Sequence, residues 1–231
     1  MRSFVKYIVA RTYKPLLVKY LSSTRTYSWK GITLEIPPQV FHPGFFKSTK
    51  ILLHYIRHKN FKGNSVLELG AGSGLISIYA AKKGADVTAT DINPVAINFL
   101  KINAVQNNVD LNIIHSDIFN SIPVCLFDTI ILNPPYYKKQ PRSNADYAWY
   151  CGENGEYFQY LFRHLKKYIH EKTEVLMVLC DGCDQQMIKD FAHENDFDLQ
   201  CVLQRNSIIE KNYIFKIARN SISKKWKYLK I

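Results

Sequence analysis

At residues 65–76 the chain reads Ser-Val-Leu-Glu-Leu-Gly-Ala-Gly-Ser-Gly-Leu-Ile. A short apolar run that leads through a glycine-rich turn into a helical pattern predicts a buried strand, a tight turn and a helix. Glycines in such a turn let a ligand approach the backbone closely, because no Cβ stands in the way. A dinucleotide-binding turn would have its third glycine at position 75, where this chain has Leu75. This spacing, with the acidic Glu68 before the turn, argues against a pyrophosphate site and favours a ligand with an ammonium group, although a purely structural turn would look similar.

The alternation of strands and helices continues from residue 46 to about residue 219, which is typical of an α/β fold. The first five predicted strands are expected to be parallel and buried on both faces. The last two are separated by a short turn at residues 205–207, so they are expected to form an antiparallel β-hairpin at one edge of the sheet. The predicted strands are 65–69, 86–91, 111–115, 129–133, 174–180, 199–204 and 208–217. The predicted helices are 46–58, 74–83, 94–107, 155–169 and 184–195.

A shorter, basic region precedes this alternating pattern. Residues 1–21 predict an amphipathic helix interrupted near Pro15. Residues 25–29 and 32–36 then predict a short β pair around a glycine-containing turn. We therefore expect three parts, which are a basic N-terminal extension at 1–45, a ligand-binding domain at 46–220 and a basic tail at 221–231.

The charge is concentrated at the two ends of the 231-residue chain. The net charge is +12, and residues 1–30 and 211–231 each hold seven Lys or Arg and no acidic residue. The region between them is close to neutral. These basic ends suit contact with nucleic acid, with an anionic membrane surface or with an acidic protein, and simple solvation would also explain them.

The cysteines and histidines do not form a recognisable metal site. Five cysteines, an odd number, predict reduced thiols and a cytoplasmic protein. One Cys-x-x-Cys pair, Cys180 and Cys183, has no second pair, so we interpret it as packing rather than a zinc or redox site. The seven histidines lack ligand spacing. No apolar run is long enough to predict a transmembrane segment, whereas an N-terminal transit peptide stays open.

Two further strand ends carry acidic residues followed by isoleucine. Asp91 ends the second strand about 20 residues after the glycine turn, a separation at which a carboxylate accepts both hydroxyls of a ribose. Asp117 follows the third strand, where it would accept from an adenine amine, with Ile92 and Ile118 on either side of the ring. The alternative for Asp91 is a helix cap. Together these features predict a nucleoside-containing ligand.

The sequence Asn133-Pro-Pro-Tyr136 follows the fourth strand. In isolation it would be a strand-ending turn. With the glycine turn and the two acids in the same order, the chain resembles class I S-adenosylmethionine-dependent methyltransferases. The resemblance is to the small-domain group that methylates amino nitrogens, which includes the release-factor glutamine and the base methyltransferases. It is strong over residues 41–136 and implies a Rossmann-like doubly wound, seven-stranded sheet with a C-terminal β-hairpin.

The resemblance also implies a role for each motif residue. The methionine part of S-adenosylmethionine would lie against Glu68, Gly70 and Gly72. Its ribose would lie at Asp91, and its adenine at Asp117 and Ile118. The target amine would be held by the Asn133 side chain and the Pro134 carbonyl, with Tyr136 stacked on its plane. Residues 40–49 look like the segment that covers the cofactor, although they depart from the wording of the glutamine enzymes.

The expected reaction is methylation of a planar NH2 group. We favour a protein glutamine amide in the translation apparatus, in a translation factor or ribosomal protein, over an adenine or guanine amine in RNA or DNA. A loop of basic and aromatic residues at 137–154 is expected to border the substrate, and it suits either partner. A nicotinamide-linked oxidoreductase and a noncatalytic scaffold are disfavoured alternatives.

Overall fold

The computed structural model describes residues 19–207 and 210–220. The helix predicted at 1–21 therefore lies almost entirely outside the described residues, as does the tail predicted at 221–231. Nine strands are described, with bounds β1 Arg25–Trp29, β2 Ile32–Ile36, β3 Ser65–Leu69, β4 Asp86–Asp91, β5 Asn112–His115, β6 Phe127–Leu132, β7 Ile169–Cys180, β8 Phe197–Asn206 and β9 Lys211–Arg219. Five α-helices are described, with bounds α1 Lys47–Ile56, α2 Leu75–Lys82, α3 Pro94–Gln106, α4 Glu156–Leu165 and α5 Gln185–Glu194. Short 3₁₀ turns lie at Asp146–Ala148 and Lys166–Tyr168.

Seven of these strands form one sheet in the order β5-β4-β3-β6-β7-β9-β8. The pairs among β3 to β7 are parallel. Strand β9 is antiparallel to β7 and β8, and β8 lies at the edge. The predicted doubly wound sheet with a terminal hairpin is confirmed. The strand order reverses beside β3, and ligands of such sheets bind at the carboxyl ends of the strands next to that point.

Helices cover both faces of the sheet. Alternate residues of β3 show this directly, since Val66 packs with α1, α2 and β2, whereas Leu67 packs with α4 and α5. Both residues are fully buried. A strand covered on both faces reads as a continuous apolar run, which is why the sequence of β3 shows no polar alternation before its glycine turn.

The β1–β2 pair is attached to α3 by two buried asparagines. Asn103 accepts from the Glu35 N–H and donates to the Glu35 carbonyl, at 2.7 and 3.0 Å. Asn107 does the same with Thr33, at 3.1 and 2.7 Å. The apolar residues of β2 enter the core on the α1–α2 face of the sheet. The domain boundary at residue 45 stays a prediction, and within the described part β2 is packed into the sheet domain.

Several element bounds differ from the prediction; α4, for example, ends at Leu165 rather than at residue 169. Strand β7 begins at Ile169 rather than at residue 174. The prediction missed this start because residues 170–173 are polar, with Glu171 and Lys172 exposed, and a register shift separates Ile169 from the rest of the strand.

Strand β8 extends to Asn206 and β9 begins at Lys211, so the turn lies later than the predicted 205–207, and residues 208–209 of the predicted last strand lie outside the described residues. Ser207 bonds to the backbone of Glu210 in both directions. Within the described residues, no helix is both long enough and apolar enough to span a membrane.

Candidate functional site

A cavity of about 440 Å³ opens at the carboxyl ends of β3, β4 and β6. Every site residue predicted from the sequence lines it. These residues come from four separate turns, each of which directly follows or ends a strand of the sheet. They are Glu68, Gly70, Gly72, Asp91, Ile92, Asp117, Ile118, Asn133, Pro134 and Tyr136.

The glycine turn presents its backbone to this cavity. Gly70 and Gly72 have φ of +74° and +55°, the left-handed region that favours glycine. A Cβ on Gly70 would meet nothing within 4 Å, so the turn leaves open space on the ligand side. Gly74 differs, because a Cβ there would lie 2.2 Å from Leu100 Cδ1. The first two glycines therefore shape the cavity, and the third allows α2 and α3 to pack together.

Glu68 is buried beneath the turn with 4% of its surface exposed. Its Oε2 accepts a hydrogen bond from the Ser77 N–H at 2.8 Å and another from the Ser77 hydroxyl. Burial raises the pKa of Glu68 to about 8, and the two bonds from Ser77 oppose that shift. In the absence of a bound cation, this carboxyl is mostly protonated at neutral pH.

The buried Glu68 predicts a pH dependence of stability. In the unfolded chain the carboxyl ionises near pH 4.3, whereas in the folded chain it does so near pH 8. Its contribution to stability is thus complete at low pH and is lost as the pH rises from about 4.3 through 8. We expect Glu68→Gln, which keeps an acceptor for Ser77, to gain stability relative to the wild type over that range. Thermal unfolding across a pH series measures this difference, and parallel profiles would contradict it.

Asp91 connects the glycine turn to the start of α3. Its Oδ2 accepts from the Gly72 N–H and its Oδ1 from the Asn93 N–H, both at 2.8 Å. The helix cap is Asn93, whose side chain accepts from the Val95 N–H. Burial raises the pKa of Asp91. The alternative role of Asp91 as the cap of α3 is therefore wrong, and the carboxylate lies in the cavity wall beside Gly72.

The third strand end has an unusual backbone. Ile118 has φ of +48°, which is strained for a β-branched residue. The Ser116 hydroxyl stabilises this conformation by donating to the Ile118 carbonyl at 3.1 Å and accepting from the Ser121 N–H at 3.0 Å. The turn places the buried Ile118 and the exposed Asp117 in the cavity wall. Strained backbone of this kind is concentrated at functional sites.

Asn133 follows β6, which ends where Pro134 and Pro135 remove two backbone donors. Its Nδ2 donates to Ser48 Oγ at 3.1 Å and to Thr49 Oγ1 at 3.3 Å. Both hydroxyl residues are buried in the first turn of α1. No described residue donates to Asn133 Oδ1, so this oxygen is available to a ligand N–H. Ser48 and Thr49 belong to the predicted covering segment at 40–49, but nothing in the sequence predicts this contact.

Tyr136 lies between the cavity and the sheet. Its hydroxyl contacts the Cys180 thiol, and its ring lies edge-on to Tyr137 with centroids 4.9 Å apart. Burial, with Cys180 second, raises the pKa of Tyr136. Cys180 and Cys183 are free thiols, and Cys183 donates to the Cys180 carbonyl at 3.0 Å. The described residues contain no cluster of three potential metal ligands.

Aromatic side chains close one side of the cavity. The rings of Phe41 and Phe46 both contact Trp149, with centroids 5.4 and 4.8 Å apart. The first two belong to the segment before α1, and Trp149 to the loop after Tyr136. Backbone bonds from the Tyr136 and Tyr137 N–H groups to the Trp149 carbonyl hold the loop in place. The predicted covering segment at 40–49 thus contacts the loop that follows Tyr136, and its role in covering a cofactor stays a prediction.

Sequence reasoning missed Tyr157 in the first turn of α4. It lines the cavity, and its pKa is raised by burial and then by the carboxylates of Asp117 and Asp91. Its phenol therefore lies near both acids that were expected to bind a nucleoside. Tyr157 falls within the helix predicted at 155–169, and its spacing from the other motifs gives no signal of a role at the cavity.

Comparison with known proteins gives consistent matches. A putative protein N5-glutamine methyltransferase of Methanocaldococcus jannaschii is 37% identical over 131 residues, which cover 54% of this chain and 64% of that protein. A ribosomal RNA small subunit methyltransferase C of Buchnera aphidicola is 35% identical over 113 residues, covering 48% of this chain and 32% of the relative. The chain thus spans less than two thirds of the length of either curated relative.

A solved structure shares the fold at lower sequence identity. The Thermus thermophilus 16S rRNA N2 G1207 methyltransferase, in complex with AdoMet and guanosine, has a TM-score of 0.63 and 17% identity. The match covers 85% of this chain and 50% of that one. Residues 32–151, more than half of the chain, match the family described as the methyltransferase small domain. The family resemblance seen in the motifs is therefore confirmed, and the chain belongs to the methyltransferase small-domain family.

Proposed function

We propose that this protein transfers a methyl group from S-adenosylmethionine to a planar NH2 group, with a protein glutamine amide in the translation apparatus as the acceptor. The observation that supports the reaction most directly is the state of Asn133. Its amide nitrogen is bonded to Ser48 and Thr49, while its oxygen faces no described donor. That is the arrangement an NH2 acceptor requires.

The residues of the cavity fit S-adenosylmethionine. The turn at Gly70 leaves space against its backbone, and Asp91 offers carboxylate oxygens beside it. Glu68 is a buried acid that a bound ammonium would ionise. Ile92 and Ile118 provide apolar walls near Asp117. When bound, this cofactor supplies a methyl group on a positively charged sulfur.

The protein's own contribution is to orient the acceptor nitrogen. An amide or base nitrogen shares its lone pair with a π-system, so it is a poor nucleophile. Two acceptors, the Asn133 oxygen and the Pro134 carbonyl, would bind its two N–H groups and stabilise the positive charge that develops on it. Tyr136 would fix the plane of the group by stacking. The methylated nitrogen would then lose a proton to water, so no acid or base with a shifted pKa is needed.

The choice of a glutamine amide is supported by the similarity to the Methanocaldococcus jannaschii protein, which is named for that activity. A translation-factor or ribosomal-protein substrate also agrees with a cytoplasmic location, which remains part of the proposal. The second candidate is an adenine or guanine amine in RNA or DNA. It is supported by the fold shared with a ribosomal RNA methyltransferase and by the aromatic and basic loop at the cavity.

Radiolabelled S-adenosylmethionine tests the reaction and separates the acceptors. The protein is incubated with labelled cofactor and a cell extract, and the products are treated with nuclease or with protease. Label that survives nuclease and is lost to protease supports the glutamine proposal, and the reverse supports a nucleic-acid base. Measurable cofactor binding with no label in either fraction would contradict transfer to both kinds of macromolecule.

The hydroxyls that hold Asn133 give a further prediction. Replacing Ser48 with Ala and Thr49 with Val removes both acceptors of the Asn133 amide at nearly constant volume. We expect kcat to fall on the order of tenfold, because the Asn133 oxygen is no longer oriented, with cofactor affinity nearly unchanged. Steady-state kinetics and cofactor titration measure the two quantities. Thr129→Val, in a buried threonine near the start of β6, is the control. Equal losses in both variants would contradict a positioning role.

A further inference from the structure

A second concave surface lies on the other side of α1 from the cavity. This basic cleft, of about 560 Å³, runs between the start of α1 and the β8–β9 hairpin. It is lined on one side by Lys47, Lys50 and His54, and on the other by Arg205 and Asn212, with Phe45 near its end. None of its described lining residues is acidic. The mechanism proposed above uses none of these side chains.

The cations of the basic cleft are not neutralised within the described part of the chain. Lys47, Lys50 and Arg205 take part in none of the ion pairs found there. Lys50 donates instead to the Gly44 carbonyl at 3.1 Å. The pKa of His54 is lowered, first by the charge of Arg57 and in smaller part by Arg205, which shows that cations surround this position. A concave, uncompensated positive surface favours an anionic ligand.

Asn212 contributes an unpaired hydrogen-bond acceptor, which an anion without a donor group cannot satisfy. It is 1% exposed, and its Nδ2 donates to Glu210 Oε1 at 3.1 Å, which orients the amide. Its Oδ1 is buried and has no hydrogen-bond partner among the described residues. An unpaired buried acceptor is costly, so a ligand that carries an O–H or N–H donor would be favoured here. The ligand should therefore combine negative charge with a donor.

The basic cleft is adjacent to the candidate active site. Lys47 and Lys50 flank Ser48 and Thr49 in the first turn of α1, and those two hydroxyls contact Asn133. Cleft and cavity lie on opposite sides of α1, so they are separated by about one helix diameter, roughly 10–12 Å with side chains. Phe45, which is 36% exposed, presents a ring at the cleft. Charge beside an exposed aromatic ring is typical of single-stranded nucleic-acid sites.

We propose that the basic cleft binds a single strand of RNA, with phosphates against Lys47, Lys50 and Arg205 and a ribose 2′-hydroxyl donating to Asn212 Oδ1. The 2′-hydroxyl is the donor that distinguishes RNA from DNA. The protein's own ends are poor occupants, since residues 1–18 and 221–231 contain basic and no acidic residues. This binding goes beyond the proposed methyl transfer, and it applies to an acceptor in the RNA or in a protein bound to it.

Fluorescence anisotropy tests the proposal with three labelled probes, which are an oligouridine of about twelve nucleotides, the matching oligodeoxyuridine and a polyglutamate peptide of equal charge. One variant combines Lys47→Gln, Lys50→Gln and Arg205→Gln. The control combines Lys101→Gln, Lys172→Gln and Lys189→Gln, three exposed lysines outside the cleft that remove the same charge. All measurements use the full chain at several salt concentrations.

We expect the wild type to bind RNA more tightly than DNA or the peptide. In the cleft variant, affinity at about 0.1 M salt should fall at least tenfold. The negative slope of log affinity against log salt should become shallower by about 2. The control variant should keep most of the affinity and most of the salt dependence of the wild type. Equal losses of affinity in the two variants would show that RNA is attracted diffusely to the positive charge of the protein, and would overturn the proposed RNA site in the cleft. Equal affinity for RNA and DNA would overturn the role of Asn212 and the assignment to RNA, and preference for the peptide would assign the cleft to an acidic protein.

The outcome for RNA is independent of the outcome for methyl transfer. RNA binding is measured without cofactor, so a protein that binds RNA through the cleft but labels nothing would refute the proposed function and leave this inference intact. Labelling of an acceptor with no RNA binding would do the opposite. Thermal unfolding of the cleft variant, expected to match the wild type, checks that its fold is unchanged.

Discussion

Asn133→Ala should reduce methyl transfer by on the order of 10²-fold to 10³-fold and leave cofactor affinity close to that of the wild type. In the proposed mechanism the Asn133 oxygen binds an acceptor N–H, and its amide nitrogen is already bonded to Ser48 and Thr49. The lost interaction strengthens as positive charge develops on the acceptor nitrogen, so the loss should fall on kcat. Radiolabel transfer measures the rate, and equilibrium titration measures the cofactor affinity.

The control for this variant is Asn112→Ala, an exposed asparagine on the edge strand β5. It removes the same side chain far along the chain from the acceptor side of the cavity. Retention of full activity by Asn133→Ala would disprove the catalytic role of Asn133. An equal loss of cofactor affinity and rate would instead show that the variant disrupts the cavity as a whole.

Asp91→Ala should act first on the cofactor. The Asp91 carboxylate accepts from Gly72 and Asn93 and would also accept from ribose hydroxyls in the cavity. A hydrogen bond to a charged group contributes about 1.5–3 kcal/mol, so loss of this contact should weaken cofactor binding by roughly 10- to 100-fold. Isothermal titration measures the dissociation constant, and at saturating cofactor the rate should largely recover.

Two variants separate binding from folding at Asp91. Asp86→Ala removes an exposed aspartate at the opposite end of the same strand and should bind cofactor normally. Asp91→Asn keeps an acceptor for one of the backbone N–H groups and should be more stable than Asp91→Ala, while still binding the cofactor weakly. Normal affinity in Asp91→Ala would exclude this residue from the cofactor site.

Local patterns in the sequence, together with the family resemblance of the motifs, were enough to predict the sheet and the ten cavity residues. The parallel strands read as apolar runs because both of their faces are buried, and each motif directly follows or ends such a strand. Parallel strands bring their carboxyl ends to one edge, so motifs far apart in the chain converge. The predicted β7 was too short because its polar residues 170–173, of which Glu171 and Lys172 are exposed, do not continue the apolar run, and a register shift separates Ile169 from the rest of the strand.

The tertiary structure decided how those residues are supported and what lies beside them. The contact of Asn133 with Ser48 and Thr49 and the proximity of Tyr157 to Asp91 each join segments far apart in the chain. Such contacts depend on helix packing and on side-chain direction, which leave no periodic signal in the sequence. The sequence by itself determined the fold class and the motif residues, because these depend on local hydrophobic pattern and turn chemistry. Only the packed chain determined which hydroxyls orient Asn133 and where the uncompensated cations gather, because those depend on distances between distant segments.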